Sequence, residues 1–200
     1  MKPGPVILAS GSESRKHMLE RSGVNVETRV PGVDETTIIA ALRQDGMKPR
    51  DIAACLAETK ALRVGVTIPE RIVIGCDQLL VAGDRIVEKA ATLSEARETL
   101  QALRGRSHLL FSAAVVVTGG VPVWRHVGRA ELVMRGFSDA FLESYLDRNW
   151  PDVRTSVGCY RIEESGAQLM EGIKGDLFTI MGMPLLELLA YLRIRGVLPE

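Results

Sequence analysis

Short apolar runs alternate with amphipathic segments along the chain, a pattern that predicts an α/β fold. In the first half, the β-branched run around Val73 is typical of a buried strand, and Leu56 and Val64 recur at helical spacing. A turn is predicted at 33–35. The elements predicted for this half are a strand at 5–9, a helix at 14–22, a strand at 25–30, a helix at 50–65 and a strand at 71–77.

The second half of the chain adds two predicted hairpins, which turn at Gly83 and at Gly119-Gly120. Ser138 is placed to cap a helix that Pro151 ends. The predicted elements are strands at 79–81 and 85–87, a helix at 94–103, strands at 109–118, 121–127 and 130–135, a helix at 138–149, strands at 157–162 and 177–181, and a helix at 184–195. Hairpins interleaved with helices favour a mixed, twisted central sheet flanked by helices over a purely parallel array.

Composition narrows the class of protein without naming a function. The 200 residues predict a single domain over 1–200, and 46% hydrophobic with 25% charged residues is typical of a globular protein. Lys and Arg together number 25, as do Asp and Glu, so no global field attracts nucleic acid or an anionic membrane. Neither is expected as a partner, and any anion site must be local.

The start of the chain and the cysteines indicate a compartment. Only four apolar residues follow Pro5, too few for the core of a signal peptide or for a spanning helix. Cys55, Cys76 and Cys159 are odd in number and widely spaced, so they suggest neither a disulfide framework nor a zinc site. A reducing cytoplasm is the expected location.

The turn after the first strand is the strongest local signal. Residues 10–15 read Ser-Gly-Ser-Glu-Ser-Arg and lead directly into a helix. Backbone N–H groups and the helix dipole favour an anion at such a helix start, and Arg15 adds a full positive charge. Ser10 and Ser12 are hydroxyl donors for a phosphate, although capping of the helix by Ser12 is the plainer interpretation. The turn lacks the glycines and the Lys-Ser/Thr pair of a Walker A loop.

Two carboxylates and two lysines are candidates for chemistry. Asp77 ends an apolar strand, where it fits a general base or a Mg²⁺ ligand, and Glu35 is a second oxygen donor. Each also fits an ordinary loop carboxylate. Lys60 lies on an apolar helix face and Lys89 at a strand end, so each is either a cation for a bound phosphate or a solvated side chain. The two carboxylates beside an anion-binding turn favour a bridging divalent ion.

In combination these segments resemble the Maf family of nucleoside triphosphate pyrophosphatases. Seven motifs occur in the family's order and span nearly the whole chain. They are LASGSESR at 8–15, Val33-Asp34-Glu35, Lys60-Ala61, Ile74-Gly75-Cys76-Asp77-Gln78, Glu88-Lys89, RGRSH at 104–108, and Gly182-Met183-Pro184-Leu185.

The resemblance implies a fold, a reaction and a set of roles. The fold would be the mixed sheet of the Maf and Ham1 proteins, with an active-site cleft between two lobes, and the protein would be a homodimer. Water and a nucleoside triphosphate would give the monophosphate and pyrophosphate, helped by a divalent cation, Mg²⁺ or Mn²⁺. Asp77 would activate the water, and Glu35 together with Asp77 would hold the metal. The phosphates would be bound by Ser10, Ser12, Arg15, Lys60 and Lys89.

The resemblance also suggests which nucleobase the substrate carries. Its three specificity positions fall at Ser14, Gln78 and Glu163. Gln78 and Glu163 match the branch that cleaves 7-methyl-GTP, in which the first position is Trp. The branch that cleaves dTTP and UTP carries Arg, Thr and Gln at these places. A carboxylate accepts both hydrogen bonds of a guanine edge, which favours 7-methyl-GTP. A dTTP/UTP pyrophosphatase and a non-catalytic nucleotide-binding regulator of cell division are the alternatives.

Overall fold

A computed structural model describes residues 4–199. Met1–Pro3, on which part of the signal-peptide expectation rests, and Glu200 lie outside the described residues. The strands are β1 (Val6–Ala9), β2 (Val26–Thr28), β3 (Val73–Ala82), β4 (Arg85–Val87), β5 (Ser107–Thr118), β6 (Val121–Met134) and β7 (Met170–Lys174). The α-helices are α1 (Glu13–Arg21), α2 (Glu35–Gln44), α3 (Pro49–Gly65), α4 (Leu93–Leu103), α5 (Asp139–Asn149), α6 (Leu177–Ile180) and α7 (Leu185–Ile194). Short 3₁₀ helices cover Asp152–Thr155, Val157–Cys159 and Ser165–Leu169.

The strands form one mixed sheet. Its order is β2-β1-β3-β5-β6-β7, and β4 pairs with β3 away from this path. β1 runs parallel to β2 and to β3, whereas the β3–β4 and β6–β7 pairs are antiparallel. The predicted mixed α/β architecture, with a central sheet flanked by helices, is therefore confirmed.

The chain divides into two compact units, each built from separate stretches of sequence. The first unit comprises the residues up to Gln78, Phe111–Gly128, and the residues from Gly182 onward. The second unit comprises Leu79–Leu110 and Arg129–Met181. The chain passes between the units inside strands β3, β5 and β6, and once more between helices α6 and α7. The single domain predicted for 1–200 stays a prediction.

Three segments differ from their predicted structure. The turn predicted at 33–35 opens helix α2, because the Asp34 side chain accepts the backbone N–H of Thr37 and so caps a helix start. The strand predicted at 157–162 is wrong, since this segment begins as a 3₁₀ turn in which Gly158 and Cys159 adopt left-handed φ values of 78° and 59°. The strand predicted at 177–181 is also wrong: these residues form helix α6, capped by Asp176.

Two strands are longer than predicted, and one was missed. β3 is continuous over ten residues, so Asp77 lies inside the strand rather than at its end. β6 runs unbroken for fourteen residues across the predicted gap at 128–129. The missed strand, β7, pairs with the C-terminal end of β6. Among residues 4–199, none of the helices combines the length and apolar character that a membrane span needs.

Candidate active site

The register of two parallel strands creates the site in the first unit. Ala9, the last residue of β1, pairs with Gly75 of β3. The turn that starts at Ser10 therefore lies alongside Cys76 and Asp77, the next residues of β3. Functional groups gather at such carboxyl ends of parallel strands, because the loops that follow them emerge at the same edge.

Hydroxyl groups organise the turn between β1 and α1. The Ser10 side chain is buried, and its Oγ accepts the backbone N–H of Ser12 at 3.2 Å. Ser12 caps α1, since its Oγ accepts the backbone N–H of Arg15 at 3.4 Å. Among the residues that the structure describes, the buried Oγ of Ser14 has no hydrogen-bond partner. The turn thus forms a capped helix start, the feature on which the predicted anion site depends.

Arg15 is fixed by three neighbours rather than pointing freely into solvent. Its Nε donates to the carbonyl of Gly182 at 2.8 Å. Its Nη1 donates to the carbonyl of Cys76 at 3.0 Å and to Ser10 Oγ at 3.3 Å. Gly182 has a φ of 108°, and a Cβ on it would come within 3.3 Å of Arg15 Nε. The motif at 182–185 therefore supplies a backbone acceptor that orients the guanidinium, a role that the sequence pattern alone did not suggest.

A glycine allows helix α3 to lie directly on strand β3. A Cβ on Gly75 would approach the carbonyl oxygen of Ala57 to 2.1 Å and the backbone nitrogen of Ala61 to 2.6 Å. Only hydrogen at this position permits so close a contact between helix and strand. The contact places Lys60, the neighbour of Ala61, beside Asp77, two residues beyond Gly75.

Lys60 joins two carboxylates. Its Nζ lies 2.5 Å from Asp77 Oδ1 and 2.6 Å from Glu35 Oε1. The side chains of Lys60 and Asp77 are only 7% and 5% exposed, whereas that of Glu35 is 45% exposed. A buried lysine is rare unless it is paired, and here the pairing explains the burial. The predicted cation and both predicted carboxylates therefore form one cluster.

Burial governs the protonation of the groups at the end of this strand. It raises the pKa of the Asp77 carboxyl, an effect that the Lys60 ammonium and the Arg15 guanidinium oppose. Burial also raises the pKa of the Cys76 thiol to about 11, so this thiol stays protonated at neutral pH and is a poor nucleophile. Asp77 is the group in this cluster whose environment favours taking up a proton.

Helix α2 presents Glu35 to the cluster. Two hydrogen bonds from Thr37, one from its backbone and one from its hydroxyl, lower the pKa of Asp34. The charged cap starts the helix at Glu35, whose carboxylate is then favoured by the positive end of the helix dipole. The motif at 33–35 thus pairs a capping residue with a functional one.

Gln78 has a partner that the sequence analysis missed. Its Nε2 donates to the Oγ of Ser112 at 2.9 Å, and Ser112 is fully buried in β5. A lone serine inside the apolar run of β5 was the available signal. The hydrogen bond fixes the side-chain amide of a predicted specificity residue.

The remaining predicted residues lie in the second unit. Lys89 is exposed and follows β4, and Glu163 is exposed in the turn at 162–164. The adjacent Glu164 lies 3.2 Å from the guanidinium of Arg161. Eight of the predicted residues therefore belong to the first unit, and the other two, Lys89 and Glu163, are exposed side chains of the second.

The donor set of the first unit fits a magnesium-type ion. Glu35 and Asp77 are oxygen donors that both contact Lys60 Nζ and so lie close together. Mg²⁺ is commonly held by one or two carboxylates together with substrate phosphates. Nowhere between residues 4 and 199 do three or more His, Cys, Asp or Glu side chains gather as a complete metal cage. These two residues would therefore supply part of a coordination shell.

A capped helix start beside a buried acid–lysine pair on a mixed sheet defines an α/β protein with a candidate anion site and a candidate acid–base group. Residues 5–194 match the family model for Maf-like proteins. The chain belongs to the Maf family. It is 46% identical to a nucleoside triphosphate pyrophosphatase of Ruegeria sp. strain TM1040, with 98% of each chain covered.

Two further relatives extend this comparison. A nucleoside triphosphate pyrophosphatase of Roseobacter denitrificans is 47% identical, with 99% of this chain and 100% of the relative covered. A 7-methyl-GTP pyrophosphatase of Mesorhizobium japonicum is also 47% identical, over 96% and 97% of the two chains. The predicted family is confirmed, and so is the predicted enzyme class, a hydrolase acting on acid anhydrides.

Proposed function

We propose that this protein hydrolyses a nucleoside triphosphate, 7-methyl-GTP, to the monophosphate and pyrophosphate, with Asp77 as the general base. The oxygen of a water molecule forms a bond to the α-phosphorus, and the bond from that phosphorus to the bridging oxygen of the β-phosphate breaks. Asp77 takes the proton of the water, and pyrophosphate leaves. The names of the relatives support the reaction class.

The observation that carries the mechanism is the buried contact between Lys60 Nζ and Asp77 Oδ1 beside the turn at Ser10. The lysine stabilises the ionised carboxylate, and burial makes that carboxylate a stronger base than one in water. Ser10, Ser12, Arg15 and Lys60 would bind the phosphates and offset the charge that develops on pyrophosphate. Lys89 is proposed as a further phosphate ligand on family resemblance alone.

A divalent ion, Mg²⁺ or Mn²⁺, would be held by Glu35 and Asp77 and would neutralise phosphate oxygens. Both carboxylates contact the same ammonium, Lys60 Nζ, and so lie close enough together to share an ion, which supports this assignment. Arg15, held by the carbonyls of Gly182 and Cys76, would keep its charge oriented toward the turn throughout the reaction.

The proposed nucleobase of the substrate, 7-methylguanine, is inferred from two specificity residues. Gln78 and Glu163 agree with the 7-methyl-GTP branch, and the Mesorhizobium relative carries that name at 47% identity. A 7-methylated guanine is cationic and donates hydrogen bonds from its edge, so the acceptor-only carboxylate of Glu163 suits it in both respects. Ser14 differs from the aromatic residue of that branch, so the site would lack one stacking surface.

The test measures pyrophosphate release with Mg²⁺ from 7-methyl-GTP, GTP, dTTP, UTP and ITP. We expect preferential turnover of 7-methyl-GTP, and its loss by a factor of at least about 10² in Asp77→Asn, because a general base contributes roughly this much. Preference for dTTP or UTP would contradict the proposed nucleobase specificity. Nucleotide binding without turnover would favour the regulator of cell division instead.

The neighbouring carboxylates of Glu163 and Glu164 provide a matched pair of variants to test the nucleobase specificity. Glu163→Gln is expected to reduce the preference for 7-methyl-GTP over GTP, because the carboxylate that suits a cationic base is lost. Glu164→Gln makes the same chemical change one residue away, at a side chain already paired with Arg161, and should leave the preference unaltered. Equal effects of the two substitutions would contradict the assignment of Glu163. The homodimer and the cytoplasmic location stay predictions.

A further inference from the structure

Lys60 occupies the point on which the two proposed metal ligands converge. Its Nζ lies 2.5 Å from one oxygen of Asp77 and 2.6 Å from one oxygen of Glu35. These are hydrogen-bond distances, so the ammonium uses an oxygen of each carboxylate. The same two carboxylates are the ones that a divalent ion would need.

We propose that the Lys60 ammonium is an internal cation that holds the Glu35–Asp77 pair and competes with the divalent ion for it. This inference rests on the proposed metal-dependent function of the site. The metal ion and Lys60 are then mutually exclusive partners of the carboxylate pair. The phosphates of the nucleotide determine whether the metal ion or the lysine binds the two carboxylates.

Charge and burial make the competition strong. Asp77 is almost completely buried, so an ionised carboxylate there needs a cation beside it. A divalent ion placed against both carboxylates would lie within a few ångströms of the ammonium, and like charges at that distance repel strongly in a buried site. The metal therefore has to displace Lys60 from at least one carboxylate.

The side chain of Lys60 can turn, whereas the helix that carries it cannot shift toward the strand. Helix α3 is seated on Gly75 through the backbone of Ala57 and Ala61, which leaves no space for the helix to shift toward the strand. The side chain of Lys60 is flexible and can turn its ammonium to a new anion. A triphosphate beside the Ser10 turn would offer that anion, so nucleotide and metal should bind together much more tightly than metal alone.

Metal binding without nucleotide tests the competition directly. Mn²⁺ affinity is measured by electron paramagnetic resonance for the wild type and for Lys60→Met, which keeps the apolar stem and removes the charge. We expect Lys60→Met to bind Mn²⁺ about tenfold more tightly, because the competing cation is gone. Lys174→Met makes the same change on the exposed strand β7 and should match the wild type. Equal or weaker binding by folded Lys60→Met, or no binding by either protein, overturns the proposal.

A second measurement in the wild type covers the case in which Lys60→Met does not fold. Lysine labelled with ¹³C at Cε gives one nuclear magnetic resonance signal per side chain, and the Lys60 signal is identified by its loss in Lys60→Arg. Saturating Mg²⁺ without nucleotide should shift the Lys60 signal and leave that of Lys174 unchanged. An unmoved Lys60 signal in the Mg²⁺-saturated protein overturns the proposal. Neither readout depends on turnover, so failure of the proposed reaction would be seen separately.

Discussion

A buried histidine makes the stability of this protein depend on pH. In the second unit, His108 is only 2% exposed, and its Nε2 is hydrogen-bonded to the Tyr160 hydroxyl at 2.7 Å. Its Nδ1 has no hydrogen-bond partner among the described residues. Burial lowers the pKa of this histidine from 6.5 to about 4, so the imidazole is neutral in the folded protein at neutral pH.

Acidification should destabilise the protein through His108. Below about pH 6.5, His108 becomes protonated in the unfolded chain, whereas in the folded protein it stays neutral until about pH 4. Stability is therefore lost across this window. Between pH 7 and pH 5 the loss from this one group is about 2 kcal/mol. The free energy of unfolding, measured in urea at both pH values, should fall further in the wild type than in His108→Gln. Glutamine keeps a hydrogen-bonding group but does not titrate. Parallel losses in both proteins would contradict the assignment.

The position of the Lys60–Asp77 pair depends on how closely α3 approaches β3. Gly75→Ala would place a methyl group against the backbone of Ala57 and Ala61, and backbone atoms cannot give way as a flexible side chain can. We expect a loss of about 1–3 kcal/mol in the free energy of unfolding. We also expect a drop in pyrophosphate release, because α3 carries Lys60 away from Asp77 when it moves.

Gly136→Ala is the matched control for this prediction. A Cβ on Gly136 meets no atom within 4 Å, so the same substitution there should leave stability within about 1 kcal/mol of the wild type and activity intact. Thermal unfolding and pyrophosphate release of the two variants measure both effects. A Gly75→Ala protein that unfolds and turns over like the wild type would show that α3 does not depend on the glycine.

The sequence predicted elements best where a local signal was strong. Ser138 caps α5 as expected, and the glycine pair at 119–120 joins β5 to β6. Prediction failed where contacts from distant segments decide the structure. β7 carries a weak pattern, Met-Glu-Gly-Ile-Lys, and is a strand because β6 pairs with it. The apolar residues near Cys159 pack in the core of the second unit without entering the sheet.

The candidate site was predictable by residue type but not by contact. Asp77, Lys60 and Glu35 were each ambiguous alone, and only the register of β1 with β3 and the position of α3 brings them together. Ser112 and the carbonyl of Gly182 escaped notice because their roles depend on partners 34 and 167 positions away in the chain.

Each of the two compact units is assembled from separate stretches of the chain. The residues up to Gln78 belong to the first unit together with 111–128 and the residues from Gly182 onward. A fragment that ends at Gln78 lacks β5, the neighbour of β3 in the sheet, and so exposes an apolar edge strand. We expect this fragment to show no cooperative unfolding by circular dichroism, in contrast to the full chain. A sharp thermal transition in the fragment would contradict this expectation.

The hydrogen bond from Arg15 to Gly182 has a consequence for synthesis of the protein on the ribosome. Its two ends are 167 positions apart, so Arg15 lacks this acceptor until Gly182 has been translated. A nascent chain can form the turn at Ser10 early, but the Arg15 guanidinium lacks this anchor until Gly182 leaves the exit tunnel. We expect the guanidinium to take its final orientation only after Gly182 has emerged, long after the turn beside it has been synthesised.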